Sequence, residues 1–375
     1  MGSDLTDFEL PEPGLDPISE EEGFEDIDER AEVGPLVYGI SSFGADFPVD
    51  GLVKRIENDD IVVPSFGDAD ASADEPGFQR EFVWSKVQAD RFIESLLLGF
   101  PVPGIFLVQA EEGVLLVLDG QQRLRTLQSF YKGVFREKRF KLQSVQEDFR
   151  GLTYDDLAPD ARRRLDNSII HATIVRQETP SDDQSGIYKI FERLNTGGTL
   201  LQPQEIRVAL YAGPLIVLLR DLNQNSQWRD LTGKQSIRLK DQELILRFFA
   251  LRSSGDKYAA PMKEFLNRYA GGNRTLNRED EAELRSAFEL TVDAIHSQIG
   301  PRAFRPVRAV NAAVVDSLMT VIDEGLRGAN LVENLRDAYQ ALLEDPDYRL
   351  ATERATAREE NVALRLARSR HHLLV

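Results

Sequence analysis

The residues with the clearest chemical potential are Asp119-Gly-Gln-Gln-Arg123. Five apolar residues at 114–118 come directly before them and predict a strand that is buried on both faces. Gly120 predicts a tight turn, and apolar side chains at helical spacing predict a helix over residues 122–131. A strand, a glycine turn and the first turn of a helix form a favourable anion site, because the first helical N–H groups have no partner within the helix.

The side chains of this turn suit phosphate chemistry. Gly120 lets the backbone approach a ligand closely, and Arg123 offers a planar fork of donors to a phosphate. Asp119 is placed where it could orient a metal ion, a sugar hydroxyl or a water. From the residues alone, an ordinary turn explains the pattern equally well. In that interpretation Asp119 caps the helix and Arg123 faces solvent.

The composition excludes several other kinds of site. The chain of 375 residues has no cysteine, which excludes disulfides and thiolate metal sites, and its four histidines are too scattered to predict a metal cluster. No apolar run approaches the ~20 residues that a membrane-spanning helix needs, and no signal peptide opens the sequence. We therefore expect a cytoplasmic protein with no membrane partner.

The negative charge is concentrated in the leading part of the chain. Of the net charge of −18, residues 1–76 contribute −19 (22 Asp or Glu against 3 Lys or Arg), and the remaining residues contribute +1 (41 acids against 42 bases). Residues 1–35 also lack periodicity, which predicts a disordered acidic tail. This tail is either a solubilising segment or a mimic of nucleic-acid charge. The nearly neutral remainder can still bind DNA through a local basic patch.

The pattern of elements predicts an α+β protein with two halves. Strand and helix signals are mixed over residues 36–212, whereas helical periodicity dominates residues 213–375. The predicted helices of the second half cover 241–253, 261–270, 278–298, 306–326, 331–343 and 351–370. On the last of them, Arg354, Arg358 and Arg365 follow at spacings of four and seven and could track a phosphate backbone. A solvated helix face is the simpler interpretation of this stripe.

Several motifs occur in the order of a known family. Asp119-Gly-Gln-Gln-Arg123 resembles the signature of the DGQQR family, whose relatives include the GmrS half of the modification-dependent GmrSD restriction enzymes. Further segments match the family's aromatic-Gln-Arg-x-x-x-Trp box at 76–84, its helix and Pro-x-Pro exit at 93–103, its Asn-x-Gly-Gly box at 191–198 and its Glu-x-Arg box at 204–207. The resemblance extends over roughly residues 36–375.

The resemblance implies a fold and a site. The fold is a small mixed-sheet domain similar to the ParB–sulfiredoxin fold, whose signature turn binds nucleotide phosphates, followed by a mainly helical half. The implied phosphate and hydrolysis site comprises Asp119, Gly120, Gln121, Gln122 and Arg123, with Gln79 and Arg80 alongside and Arg193 and Asn195 closing the pocket.

Each site residue then has an implied role in phosphoryl transfer. Asp119 would hold Mg²⁺ or orient water, and Gln121 or Gln122 would position the nucleophile. Arg123 with Arg80 would neutralise the developing charge. The expected function is a Mg²⁺-dependent nucleoside triphosphatase, a nucleotide-binding component of a restriction or anti-phage system. The Glu and Arg of the 204–207 box are expected to brace different neighbours rather than form one catalytic pair.

Two other functions remain open at this stage. The chain could be a non-catalytic sensor module that binds modified DNA, or a weak DNA nickase that uses the same turn. Many relatives carry a His-Asn-His nuclease domain, but His171, His296, His371 and His372 fit no such pattern. A nuclease activity is therefore expected from a separate partner protein. The sequence identifies neither the nucleotide nor the oligomeric state.

Overall fold

The computed structural model describes residues 39–63, 84–109, 113–179, 185–194 and 202–375. These residues form a mixed β-sheet with helices on both faces, followed by a mainly helical half. The predicted α+β class, with a sheet-containing part before a helical part, is confirmed. The predicted acidic tail, residues 1–35, lies outside the described residues, and the limits of the two predicted domains stay predictions.

Five strands of the described residues form the main sheet, and two form a separate hairpin. The strands are β1 Gly39–Pro48, β2 Ile61–Val62, β3 Ile105–Gln109, β4 Leu115–Asp119, β5 Val134–Phe135, β6 Lys138–Arg139 and β7 Ile169–Thr179. The sheet order is β1-β7-β3-β4-β2, and β5 pairs with β6. β1 with β7 and β3 with β4 are antiparallel, whereas β3 with β7 and β2 with β4 are parallel. The sheet is therefore mixed.

Six helices of the described part of the chain surround this sheet. They are α1 Val49–Glu57, α2 Lys86–Leu98, α3 Gln121–Lys132, α4 Pro159–Asp166, α5 Ser185–Leu194 and α6 Pro203–Leu210. α2 begins with a reciprocal capping box, in which the Ser85 side chain accepts from the backbone of Gln88 and the Gln88 side chain accepts from the backbone of Ser85. Two of the orphan N–H groups at this helix start are satisfied, which fixes where α2 begins.

The central strand β4 is buried on both faces, as its apolar sequence predicts. Leu116 and Leu118 belong to one hydrophobic cluster and Val117 to another. The cluster around Val117 is covered by α1 to α4, including Leu124 and Leu127 of α3. The cluster around Leu116 continues through α5 and α6 into the helical half. Sheet and helical half therefore share one apolar core on this face.

The helical half consists of nine helices. They are α7 Pro214–Leu222, α8 Ser226–Thr232, α9 Lys240–Ser254, α10 Met262–Gly272, α11 Arg278–Ala294, α12 Ala312–Gly328, α13 Leu335–Glu344, α14 Pro346–Glu353 and α15 Glu359–Leu373. A short π-helical turn, Ile295–Ile299, extends α11. The predicted helix over 306–326 begins only at Ala312, because the Asn311 side chain caps it by accepting from the backbone N–H groups of Ala313 and Val314.

α9 lies at the centre of this half, and all its residues from 241 to 251 are buried. Its buried charges have partners of opposite sign on other helices. The pairs are Asp241 with Arg229 at 2.8 Å, Glu243 with Arg207 at 2.7 Å, and Arg247 with Asp316 at 2.6 Å. A buried charge without a partner is costly, so these pairs specify how the helices around α9 must be arranged.

Asp345 caps the N-terminus of α14, and its contribution to the stability of the fold depends on pH. Its carboxylate accepts from the backbone N–H groups of Asp347 and Tyr348 and from the side chains of Arg368 and His372. Burial alone would raise the pKa of Asp345, but these hydrogen bonds outweigh burial and hold the pKa well below the ordinary 3.8.

Replacing Asp345 with Asn should therefore destabilise the protein more at neutral pH than in acid. A depressed folded-state pKa contributes stability that is fully present above pH 3.8 and is lost as the pH falls through the folded value. Asn caps helices as well as Asp does, so the substitution removes the charge and keeps the cap. Urea unfolding at pH 7 and about pH 2.5 should show a smaller difference between wild type and Asp345→Asn at the lower pH. An equal difference at both would contradict this account.

Candidate nucleotide-binding site

The Asp119–Arg123 turn lies where β4 passes into α3. Gly120 between them has φ +96°, in the left-handed region that residues with a Cβ rarely adopt. A Cβ at this position would lie 2.4 Å from Cγ2 of Ile105 on β3. Both the backbone conformation and the close approach of β3 therefore require glycine here.

A register shift between β3 and β4 sets the position of Asp119. Leu107 pairs with Val117, but Phe106 pairs with Asp119, so β4 contains one more residue than β3 over this interval. Such a bulge changes the direction of side chains at a strand end. The Asp119 side chain is 55% exposed and so accessible to a ligand.

Arg123 turns back from α3 onto the end of the strands. Its Nη2 donates to Oδ2 of Asp119 at 2.8 Å and to the carbonyl oxygen of Gly104 at 3.0 Å. The Arg123 side chain is only 13% exposed. The positive end of the α3 dipole disfavours a cation, and Asp119 supplies the compensating anion. The alternative with a solvated Arg123 is therefore wrong, and the N-cap residue of α3 is Gly120, which has no capping side chain.

Polar atoms of this turn remain available to a ligand. The bond from Arg123 uses only one carboxylate oxygen of Asp119. Nε of Arg123 is buried and makes no hydrogen bond within the part of the chain that the structure describes. Gln121, the first residue of α3, is half-buried at the same turn. The turn thus presents an anionic group, a cationic group and an amide close together.

Gln122 connects the turn to the end of the Gln-Arg box. Its Oε1 accepts a hydrogen bond from the backbone N–H of Trp84 at 3.2 Å. The Trp84 ring packs edge-on against Phe92 of α2, at 5.5 Å between ring centroids. Gln122 therefore holds the backbone of Trp84 in position. Of the two glutamines predicted to position the nucleophile, Gln121 is the one whose side chain is not committed to this contact.

Gly104 is a site residue that the sequence analysis missed. It lies 19 positions before Arg123. The carbonyl oxygen of Gly104 accepts a hydrogen bond from the Arg123 guanidinium. A Cβ on Gly104 would lie 2.7 Å from the carbonyl oxygen of His171 on β7. Glycine at this position lets β3 approach β7 closely at the strand end that faces Arg123. Neither its type nor its spacing from Arg123 distinguishes Gly104 from other turn glycines.

Four predicted phosphate ligands cannot be placed. Gln79, Arg80 and Asn195 lie outside the described residues. Arg193 lies in the last turn of α5, and its side chain is likewise outside the described part. Their predicted roles stay predictions. α5 itself begins beside β7, where the backbone N–H of Ile187 donates to Oε1 of Gln177 at 3.1 Å.

Comparison with known families identifies the segment that contains this turn. Residues 65–212 match the family described as the N-terminal domain of the GmrSD restriction endonuclease. This segment of the chain is therefore similar to a GmrSD N-terminal domain. The resemblance to GmrS-like proteins is thereby confirmed, and a restriction-enzyme family agrees with the expected role in restriction or phage defence. A comparison with curated proteins gives no match.

The Glu-x-Arg box at the end of the matched segment, residues 65–212, is structural. Glu205 accepts hydrogen bonds from the backbone of Gln202 and from Arg238. Arg207 donates to Glu243 at 2.7 Å and to Asn267 at 2.8 Å. Both side chains are fully buried. This confirms that the two residues brace different neighbours, and they join the matched segment to the helices that follow it.

Beyond residue 212, the predicted arginine stripe is not formed. The predicted helix over 351–370 is interrupted, so Arg354 and Arg358 lie in the connection between α14 and α15. Arg365 is fully buried and donates to Oδ2 of Asp316, which is also fully buried, at 2.7 Å. The three arginines therefore cannot track a phosphate backbone together.

A divalent cation at the turn would depend on Asp119 and on the phosphates of a bound nucleotide. Among the described residues, no group of three His, Cys, Asp or Glu side chains could hold a metal ion. Mg²⁺ is commonly held by one or two carboxylates together with substrate phosphates, and an exposed Asp119 fits that mode. None of the helices in the described part is long and apolar enough to cross a membrane.

Proposed function

We propose that this chain is a Mg²⁺-dependent nucleoside triphosphatase that serves a restriction or anti-phage system. The observation that carries the proposal is the Asp119–Arg123 pair at the start of α3. A cation and an anion lie 2.8 Å apart there, beside a helix start that favours phosphate. The match to a restriction-enzyme domain over 65–212 supports the biological setting.

The residues of the turn have separate roles in this proposal. Arg123 binds the phosphate group and stabilises the negative charge that develops during transfer. Asp119 holds Mg²⁺ or orients the attacking water, and Gln121 positions that water. Bound Mg²⁺ would supply charge neutralisation on the phosphate oxygens. The backbone N–H groups of the first turn of α3, which begins at Gln121, bind the phosphates in this proposal.

The pairing of Asp119 with Arg123 suggests how a nucleotide enters. The contacts of Nη2 to Asp119 and Gly104 fix the guanidinium plane at the strand end. The phosphate would then be bound by guanidinium donors that these two contacts do not use. Asp119 then retains its second oxygen for the cation. Preorganised in this way, Arg123 needs little rearrangement when phosphate binds.

Cleavage of DNA is assigned to a partner protein. His171 of β7 pairs with Asp46 of β1 at 2.8 Å. His296 pairs with Asp230 at 3.2 Å in the helical half. His372 pairs with Asp345, the residue that caps α14, at 2.9 Å. These histidines lie on different elements and each is engaged with a different aspartate, so they do not form a nuclease site together.

Phosphate release from each common nucleoside triphosphate tests the proposal. Wild type and Asp119→Ala would be assayed with Mg²⁺ or with EDTA, and duplex DNA binding would be measured on both. We expect Mg²⁺-dependent release by wild type, with the variant losing turnover but still binding DNA. Asp119→Ala should also require more Mg²⁺ for its residual rate, since the proposed ligand is removed. Wild type that binds DNA but releases no phosphate from any nucleotide would favour the sensor function instead.

A further inference from the structure

The β5–β6 hairpin and its flanks carry a local concentration of positive charge. Residues 132–141 contain five Lys or Arg and one Glu, a balance of +4 in a chain of net charge −18. The five basic residues are all exposed: Lys132, Arg136, Lys138, Arg139 and Lys141. Asp156 lies 4.0 Å from Arg139 at one side of this surface. We call residues 132–141 the basic hairpin.

The inner side of the basic hairpin is anchored in the core. Phe140 is fully buried and Phe135 nearly so. Their ring centroids lie 5.1 Å apart, and Phe140 lies at the same distance from Phe130 of α3. Lys86 of α2 lies over the Phe140 ring, 4.4 Å from its centroid. The basic side chains are therefore displayed from a fixed support, which lowers the entropy lost when they bind a ligand.

The tip of the basic hairpin has an unfavourable backbone conformation. Arg136 and Glu137 form the two-residue turn between Phe135 and Lys138, with φ of +46° and +63°. Turns of this kind strongly favour Asn-Gly, because residues with a Cβ are strained at positive φ. Strained conformations of this type concentrate at functional sites. Charged side chains are thus kept at the tip although the turn favours other residues.

One residue links the tip to the nucleotide turn. The carbonyl oxygen of Trp84 accepts from Nη2 of Arg136 at 3.3 Å, and the N–H of Trp84 donates to Gln122 at 3.2 Å. Gln122 belongs to the first turn of α3, next to the Asp119–Arg123 pair. A polyanion that lies on the basic hairpin therefore passes close to the proposed site of phosphate release.

We propose that the basic hairpin contacts the phosphate backbone of duplex DNA. The choice of DNA as the polyanion rests on the proposed function in restriction, whereas the surface itself rests on charge, exposure and the strained tip. Exposed Lys and Arg on a short two-stranded ribbon suit contacts that are independent of base sequence. Such contacts fix where the DNA lies and hold it beside the nucleotide turn.

The test compares two double variants of the full chain that each remove two exposed bases. Lys138→Ala/Arg139→Ala alters the basic hairpin, and Arg354→Ala/Arg358→Ala alters the connection before α15. Fluorescence anisotropy with a duplex of about 20 base pairs would be recorded over a range of salt. We expect the hairpin variant to bind about tenfold more weakly, with a salt slope shallower by about two, and the other variant to bind like wild type. Wild-type affinity in the hairpin variant, or equal losses in both, would overturn the proposal.

A third variant should act in the opposite direction. Glu137→Gln removes the only acid of the basic hairpin and should tighten DNA binding; unchanged or weaker binding would count against the proposal. Phosphate release without DNA keeps the two proposals separate. The hairpin variant should match wild type in that assay, because Lys138 and Arg139 lie on β6 and not in the Asp119–Arg123 turn. If wild type releases no phosphate but its DNA binding depends on the basic hairpin, the hydrolase proposal is rejected. The inference about the basic hairpin then still holds.

Discussion

Replacing Arg123 with alanine is expected to lower kcat for phosphate release by about 10²–10³-fold, the effect of removing one preorganised charge-stabilising donor. The Arg123 side chain is 13% exposed and its guanidinium is held by both Asp119 and Gly104, so its charge acts in a partly desolvated, fixed position. The variant also leaves Asp119 without its cation. The measurement is phosphate release at saturating nucleotide and Mg²⁺, relative to wild type.

Two further variants show whether the effect belongs to the fork geometry of Arg123. Arg123→Lys keeps the charge but cannot bond Asp119, Gly104 and a phosphate together, so its rate should fall between those of wild type and Arg123→Ala. Arg163→Ala removes an arginine whose side chain is 68% exposed and pairs with Asp160, away from the turn, and should leave kcat unchanged. A wild-type rate in Arg123→Ala, with an unchanged unfolding temperature, would remove the basis of the hydrolase proposal.

Replacing Asp316 with alanine is expected to destabilise the fold by about 3–5 kcal/mol, the cost of breaking a buried ion pair by removing one partner. Asp316 is fully buried between Arg247, which donates to both of its oxygens, and Arg365. Burial alone would raise the pKa of Asp316, but the two guanidinium groups hold that pKa below its ordinary value. The carboxylate is thus ionised, and its removal leaves two buried cations facing each other.

Urea unfolding of wild type and Asp316→Ala provides the measurement. Should Asp316→Ala fail to fold, Asp316→Asn retains the size of the side chain and allows the loss of charge to be measured. The triple variant Asp316→Leu/Arg247→Met/Arg365→Met removes all three charges and should recover much of the stability. A loss below about 1 kcal/mol in Asp316→Ala, the range of an exposed pair, would contradict the proposed importance of this network.

The sequence by itself determined the strand, turn and helix of the candidate site. An apolar run over 114–118 and helical spacing over 122–131 predicted the elements observed as β4 and α3. These signals act within a few residues of each other, so no distant contact is needed to interpret them. The capping box that begins α2 was equally local, since Ser85 and Gln88 are three positions apart.

Other elements depended on partners far along the chain. β1 has the sequence GISSFGADFP, with little apolar alternation, and no strand was predicted there. It becomes a strand because it pairs along its whole length with β7, from Gly39 opposite Thr179 to Pro48 opposite Ile169. Backbone hydrogen bonds with β7 outweigh the weak strand propensity of this segment.

A similar limit applies to the break before the last helix. The helical pattern continues through residues 354–358, but Ala355 has φ +46°, and the side chain of Asn361 donates to the carbonyl oxygens of Arg354 and Ala355. These bonds stabilise a non-helical connection between α14 and α15. Periodicity records which face is apolar, and it does not record where such a side chain interrupts the backbone.

Only the tertiary structure decided which charges meet. Arg123 bonds Gly104 at a separation of 19 positions, Trp84 bonds Gln122 at 38, and Arg365 bonds Asp316 at 49. An arginine at helical spacing has the same sequence pattern whether it faces solvent, a phosphate or a buried carboxylate. The free energy of a charge depends on burial and on the nearest opposite charge, and both are fixed only when distant segments pack together.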